Sequence, residues 1–104
     1  MIVAFSVAPS GPRPEGGEDT GSVSDAVAEA VRIVRASGLP HETSSMFTSL
    51  EGEWDEVMDV VRRATEAVGR HGSRVSLVLK ADIRPGWTGQ LDAKVARVEE
   101  RLRD

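Results

Sequence analysis

The stretch SMFTSLEGEWDEV, from Ser45 to Val57, changes from one kind of secondary structure to another. Its first half alternates apolar and polar residues, which is typical of a strand. Its second half has the acidic first turn and the apolar spacing of an amphipathic helix. Glu51 lies where the two halves join. The stretch therefore predicts a strand that leads directly into a helix.

The preceding residues predict another strand and helix. Residues 2–8, IVAFSVA, carry apolar side chains on both faces, as in a central strand covered on both sides. Residues 9–21 are rich in Pro and Gly and predict a loop. Ser22, followed by Asp25, resembles the capping box of a helix that ends at Gly38. Its apolar stripe comprises Val23, Val27, Ala30, Val31 and Val34.

The remaining residues predict further strands and helices. Residues 41–51 indicate two short strands or one bent strand, and a helix follows from about residue 53 to residue 71. Its apolar stripe comprises Trp54, Val57, Met58, Val61, Ala64, Thr65 and Val68. The last strand, in 73–84, turns five residues to the core: Val75, Leu77, Leu79, Ala81 and Ile83. With a third helix over 90–103, the order predicts a ferredoxin-like α+β fold, a four-stranded antiparallel sheet plus a C-terminal helix.

Composition limits the classes of function. The 104 residues, 39% hydrophobic and 29% charged, predict one soluble globular domain over 1–104. The net charge of -4 argues against nucleic acid or an anionic membrane as a partner. The chain lacks Cys, and it shows neither a signal peptide nor an apolar run of about 20 residues, the length that spans a membrane. We therefore expect a cytoplasmic protein.

The two-sided apolar strand also predicts self-association. Two helices cover only one face of a four-stranded sheet, so apolar residues on the other face need a further covering layer. Val3, Phe5 and Val7 lie on one side of the first strand, and Ile2 and Ala4 on the other. A second subunit is the economical cover, which predicts a homo-oligomer, either a dimer or a tetramer.

Catalytic and metal-binding motifs do not emerge from the sequence. His41 and His71 lie on different elements without a partner at helical spacing. Residues 11–17, GPRPEGG, are glycine-rich but lack the end of a phosphate loop, and there is no nucleophile elbow. The sequence therefore predicts a protein that is not an enzyme, with neither cofactor nor metal.

Several stretches resemble the thiamine-binding protein family of small ferredoxin-like proteins. They are VAFSVAPSG, SVSDAVAEAV, SGLPHETSSMFTSLEGEWDEVMDVV, VLKADIRPG and AKVARVEERL, which together cover nearly the whole chain. The resemblance implies binding of thiamine or its pyrimidine part without a reaction. It also implies homo-oligomers that assemble through their sheets.

Thiamine joins a cationic thiazolium to a neutral aminopyrimidine, so its site needs polar acceptors and an apolar wall. Near the strand ends, Ser44, Met46, Thr48 and Glu51 are candidates, and Ser22 is a fifth at the helix start. The predicted ligand-binding set also includes Lys80 and Asp82, although these two equally suit a solvated strand face or pairing between subunits.

The acidic residues around Trp54 are predicted to have two different roles. Glu53, Asp55 and Glu56 suit the start of a helix, and Trp54 suits its buried stripe. Glu51 precedes the helix, and we expect it to face the ligand. Since side chains alternate along a strand, Thr48 joins it only if the chain bends near Gly52.

The sequence also suits a different class of function. The chain could be an oligomeric structural or regulatory module whose sheet only makes subunit contacts. A cavity beside Thr48 and Glu51 would favour the small-molecule binder, whereas a filled, dry interface would favour the module.

Overall fold

A computed structural model describes residues 1–12 and 23–103, with the side chain of Val23 excluded. The elements are β1 (Ile2–Ser10), α1 (Val23–Ala36), β2 (His41–Thr43), β3 (Thr48–Glu51), α2 (Trp54–Val68), a 3-10 turn (Gly69–His71), β4 (Arg74–Asp82) and α3 (Gln90–Leu102). The predicted order and the ferredoxin-like fold are confirmed. The capping role predicted for Ser22 lies outside the described residues.

The four strands form one antiparallel sheet in the order β2-β3-β1-β4. β1 is a central strand of the sheet, because it pairs with β4 from Ile2 to Ser10 and with β3 from Ile2 to Phe5. The short β2 pairs only with β3. The strand that is apolar on both faces is therefore central, as its sequence predicts.

Helices α1 and α2 cover one face of the sheet and enclose the core. The buried apolar residues are Val3, Phe5, Val7, Ala26, Ala30, Val34, Leu50, Val57, Val60, Val61, Ala64, Ala67 and Val68. Val3, Phe5 and Val7 come from one face of β1, because alternate side chains of a strand share a face. Of the two apolar faces of β1, this one therefore faces the helices.

The predicted stripes of the two helices are wrong at particular positions. On α1 the buried face runs through Ala26 and Ala30, and Val27 is exposed. Alanines on this face suit the close packing of α1 against both β1 and α2. Trp54 is 56% exposed rather than buried, because it is the first residue of α2 and its side chain extends past the packed part of the helix.

The predicted inward face of β4 is correct in direction but only partly covered. Val75 and Leu79 are half-buried against the core, whereas Leu77 is exposed. Ala81 is exposed as well, and Ile83 lies beyond the end of the strand. β4 is an edge strand, and the two helices are centred on β1, so their cover reaches β4 incompletely.

The other face of the sheet, here called the open face, carries no helix layer from α1 or α2. Ile2, Ala4, Ser6 and Ala8 lie on it, and Val78 of β4 is exposed opposite Ser6. Helix α3 also exposes apolar residues, namely Val95, Val98 and Leu102. Among the described residues, no helix is both long and apolar enough to cross a membrane.

Glu51 holds the start of α3 against the end of β3. Its Oε2 accepts a hydrogen bond from the Gln90 backbone N–H at 2.8 Å, and its Oε1 accepts one from the Leu91 N–H at 3.2 Å. Those N–H groups have no partner within the helix, and the helix dipole favours a carboxylate there. Gly89 precedes them with a φ of 66°, a left-handed conformation that glycine adopts without strain. An ion pair between Lys94 and Asp82 also connects α3 to the end of β4.

Replacing Glu51 by Ala should destabilise the protein, because it leaves two N–H groups of α3 without their acceptor. We expect a loss of about 1.5–3 kcal/mol in the free energy of unfolding, the range for hydrogen bonds to a charged group. Urea denaturation at fixed protein concentration measures it. Glu42→Ala, on the exposed strand β2, is the control and should change the value by less than about 0.5 kcal/mol. Equal losses in the two variants would contradict this role of Glu51.

Candidate functional site

A cavity of about 210 Å³ lies between α1 and the turn that joins β2 to β3. We call it the turn cavity. It is lined by Phe5, Ser6, Val7, Ala8, Val27, Ala30, Val31 and the consecutive residues Thr43, Ser44, Ser45, Met46, Phe47 and Thr48. β1 supplies one wall, α1 a second, and the turn a third.

The cavity exists because β3 is much shorter than β1. β3 begins at Thr48, opposite Phe5, whereas β1 continues to Ser10 and, among the described strands, pairs there with β4 alone. The chain before Thr48 turns away from β1 instead of pairing with it. The space beside the second half of β1 is therefore left open between the turn and α1.

Ser44 fixes the shape of the turn. Its hydroxyl donates to the Phe47 backbone oxygen at 3.0 Å and accepts from the Phe47 N–H at 3.2 Å. The Ser44 backbone N–H also donates to the same oxygen at 2.8 Å. The hydroxyl of Ser44, predicted as a ligand contact, thus lines the cavity while it is already bonded to the turn.

The chemistry of the turn cavity is apolar with hydroxyl groups. Valine, alanine and phenylalanine side chains form most of its walls, and Thr43, Ser45 and Thr48 add hydroxyls. None of the described residues that line it has an ionisable side chain. Such a lining suits a flat, largely apolar ring whose edge makes a few hydrogen bonds.

The structure separates the predicted ligand-binding residues into two groups. Ser44, Met46 and Thr48 meet in the turn cavity, where Met46 is 74% exposed at its rim. Glu51 and Asp82 lie at the other end of β3, and Lys80 lies next to them on the open face of β4, opposite Ala4. Ser22 lies outside the described residues.

Thr48 and Glu51 do not share a site, so the hypothesis of a bend at Gly52 is wrong. Thr48 is paired with Phe5 on the helix-covered face, whereas Glu51 is paired with Ile2 on the open face. Regular alternation persists through β3, because its register with β1 is continuous over all four residues. The carboxylate of Glu51 points instead to α3.

A smaller cavity of about 150 Å³ surrounds the Glu51 end of β3. It is lined by Met1, Ile2, Glu51, Asp82, Arg84, Trp87, Gln90 and Lys94. The guanidinium of Arg84 lies over the Trp87 ring, 3.5 Å from its centroid, and Lys94 pairs with Asp82. The two cations and the two carboxylates of this corner, Glu51 and Asp82, therefore each already have a partner within the protein. A ligand contact by Glu51, Lys80 or Asp82 stays a prediction.

The acidic run after Glu51 serves the start of α2. Glu53 is the N-cap residue, and its backbone N–H donates to Glu56 Oε1 at 3.2 Å, as in a capping box. Asp55 lies in the first turn, where the helix dipole favours acids. The structural roles predicted for these three acids are confirmed.

Two side chains of α2 have shifted pKa values. On the outer surface of α2, the hydrogen bond from Arg62 lowers the pKa of Asp59, and the same bond raises the pKa of Arg62. Within the described ranges, no group of three His, Asp or Glu side chains is placed to hold a metal ion.

Sequence reasoning missed part of the turn cavity. Val27 and Val31 look like core residues by their spacing, but the structure places them in the wall of the cavity. A usable signal was present, because α1 has more apolar positions than one buried face requires. The contribution of Val7 was also missed, since it comes from the strand that the sequence marks as core.

Comparison with known proteins places this architecture in a family. The chain is 52% identical over 103 residues to the UPF0045 protein Mb1933 of Mycobacterium bovis, covering 98% of this chain and 94% of that protein. A solved domain of unknown function, DUF77, from Bacillus cereus has a TM-score of 0.77 at 34% identity, covering 92% of this chain and 86% of the other.

A third likeness carries a functional name. The solved structure of a candidate thiamine biosynthesis/salvage protein from Thermotoga maritima has a TM-score of 0.74 at 25% identity, with 93% of this chain and 96% of the other covered. The family model for thiamine-binding protein matches residues 3–99. The chain therefore belongs to the thiamine-binding protein family.

Proposed function

We propose that this single ferredoxin-like domain binds thiamine, or a related small molecule with an aminopyrimidine ring, in the turn cavity and does not transform it. The observation that carries the proposal is the cavity itself: an apolar space with hydroxyls at its edge, in a chain of the thiamine-binding protein family. Three of the predicted ligand residues, Ser44, Met46 and Thr48, line it.

The chemistry of the lining favours the pyrimidine half of the ligand. A neutral aminopyrimidine can leave water for an apolar pocket if its amino group and ring nitrogens find hydrogen-bond partners. Thr48 and Thr43 offer hydroxyls that both donate and accept. The thiazolium would lie towards the exposed rim near Met46, where water still solvates its charge.

The alternative, a structural or regulatory module without a ligand, is less well supported. A filled, dry interface beside Thr48 would favour such a module, whereas the open turn cavity lies there.

We also propose that the protein forms a homo-oligomer, a dimer or a tetramer, in the cytoplasm and has no nucleic-acid or membrane partner. Val78 on the open face and Val95, Val98 and Leu102 on α3 are each more than half exposed. Apolar side chains at this density are typical of surfaces that associate. A second copy covering them agrees with the two-sided apolar pattern of β1.

Thr48→Val should weaken thiamine binding, because it removes a hydroxyl from the cavity at almost constant shape. We expect a loss of about 0.5–1.5 kcal/mol, or roughly two- to tenfold in Kd, measured by calorimetric titration. Ser49→Ala is the matched control, since Ser49 is the next residue on β3 and lies on the opposite face. The cavity assignment fails if Ser49→Ala has the larger effect. The proposed function fails if the parent protein binds neither thiamine nor its pyrimidine.

Thiamine and its phosphates should survive incubation with the protein unchanged. Catalysis needs a positioned nucleophile, an acid–base pair or a metal, and the turn cavity is lined by hydroxyls and apolar groups without an ionisable partner among the described residues. Chromatography of ligand incubated with increasing protein concentration measures this. Loss of ligand that scales with the parent protein and disappears with Thr48→Val would show that the site is catalytic.

Val98→Asp should reduce the mass of the assembly, because it places a carboxylate in the exposed apolar stripe of α3. The measurement is light scattering across a range of protein concentrations. Glu99→Asp, at the adjacent exposed position, controls for the lower helix propensity of Asp. A parent protein that scatters as an 11.2 kDa monomer at every concentration would rule out the proposed oligomer.

A further inference from the structure

Backbone hydrogen bonds show towards which neighbouring strand each residue of β3 directs its N–H and C=O groups. The Ser44 N–H donates to the Phe47 oxygen at 2.8 Å, and the Glu51 N–H donates to the Pro40 oxygen at 3.0 Å. Phe47 and Glu51 therefore direct their backbone groups towards the β2 side. Because these directions alternate along an antiparallel strand, Thr48 and Leu50 direct theirs towards β1.

The same alternation shows which residues of β1 direct their backbone groups to β3 and which direct them to β4. Leu50 faces Val3 and Thr48 faces Phe5 in the register, so Val3 and Phe5 exchange backbone hydrogen bonds with β3. The bond from the Gly52 N–H to the Met1 oxygen, at 3.1 Å, fits this pattern at the other end of β3. Ser6 and Ala8, at the alternate positions, direct their N–H and C=O groups to β4.

Val7 is the next residue of β1 that faces the β3 side, but β3 has ended. Its register partner on the other side, Leu77, belongs to β4 and lies across a non-hydrogen-bonded position. Within residues 1–12 and 23–103, no backbone or side-chain hydrogen bond outside the sheet involves Val7. Its N–H and C=O therefore face the turn cavity, which Val7 lines.

A donor and an acceptor without a partner among the described residues are unusual at such a place. Val7 is only 7% exposed, and buried backbone groups are almost always paired with protein, water or ligand. Pro9, the following residue with the same direction, has no N–H to offer. Val7 thus presents a single adjacent donor–acceptor pair to whatever occupies the cavity.

We propose that the main chain of Val7 recognises the amino edge of the pyrimidine. In a 4-aminopyrimidine the exocyclic amino group donates, and the neighbouring ring nitrogen accepts. The Val7 C=O would accept from the amino group while the Val7 N–H donates to the ring nitrogen, which takes the place of the missing strand residue. This inference rests on the proposed function and adds the chemical class that the cavity selects: rings with adjacent amino and ring-nitrogen groups.

A 4-oxo ring is the discriminating ligand. Oxythiamine carries a carbonyl and a ring N–H at this edge, so its acceptor and donor are exchanged relative to thiamine. In the orientation that suits thiamine, it would place acceptor against acceptor and donor against donor. We expect oxythiamine to bind at least tenfold more weakly than thiamine, because buried polar groups would be left unpaired.

Amide hydrogen exchange of the ¹⁵N-labelled protein, followed by NMR, tests the contact directly. Saturating thiamine should slow exchange of the Val7 amide at least tenfold and shift its proton resonance. The amides of Phe5 and Ala8 are internal controls, since they are bonded within the sheet with or without ligand. The measurement needs no substitution in the core, so failure to fold cannot obscure it.

The outcomes separate this inference from the proposed function. Thiamine that binds while the Val7 amide stays unchanged would overturn the inference and leave the proposed function in place. Equal affinity for oxythiamine and thiamine would also overturn the inference. If neither thiamine nor its pyrimidine binds, both fall together.

Discussion

The unequal length of two paired strands is the constraint on which the rest of the molecule depends. β1 has nine residues and β3 has four, so only the first part of β1 has a neighbour on that side. Where the pairing exists, Val3 and Leu50 are fully buried beneath the helices. Where it stops, the sheet opens beside Val7, and the turn and α1 enclose a space instead of a core.

The two ends of β3 have different physical characters because of this constraint. At the Thr48 end, the chain departs from the sheet and leaves an uncharged space with hydroxyls. At the Glu51 end, the strand runs into α2, and a buried carboxylate binds the first N–H groups of α3. Glu51 is 6% exposed, and its charge is stabilised by those N–H groups rather than by solvent. Glu51, which the sequence predicts as a ligand contact, thus attaches α3 to the end of β3.

The fold could be predicted from the sequence because local patterns agree with each other. The alternation in residues 2–8, the Pro and Gly after it, and the helical spacing around Val57 and Val61 each specify an element, and their order specifies the topology. Exposure was harder to predict at Trp54 and Leu77. Both have apolar side chains, but one starts a helix and the other lies on an edge strand, and coverage there depends on tertiary packing.

The site could be predicted only in part. Ser44, Met46 and Thr48 follow from the turn and from the family resemblance, and the structure brings them together. The direction of Glu51 depends on α3, which begins 39 residues later in the chain, and no local pattern reveals that contact. The direction of the Val7 backbone groups towards the cavity could not be predicted either. The Val7 side chain has the pattern of a core residue, and whether its N–H and C=O are paired depends on where β3 ends.

The sheet also divides the surfaces that serve the two proposed properties. The turn cavity lies on the helix-covered side, beneath Val27 and Val31 of α1. The exposed apolar residues Val78 and Val98 lie on the open face and on α3. Ser6 and Ala8 of the open face also line the cavity, so the two surfaces adjoin at these residues. β3 connects the two sides, since Thr48 lines the cavity on one face and Glu51 anchors α3 from the other.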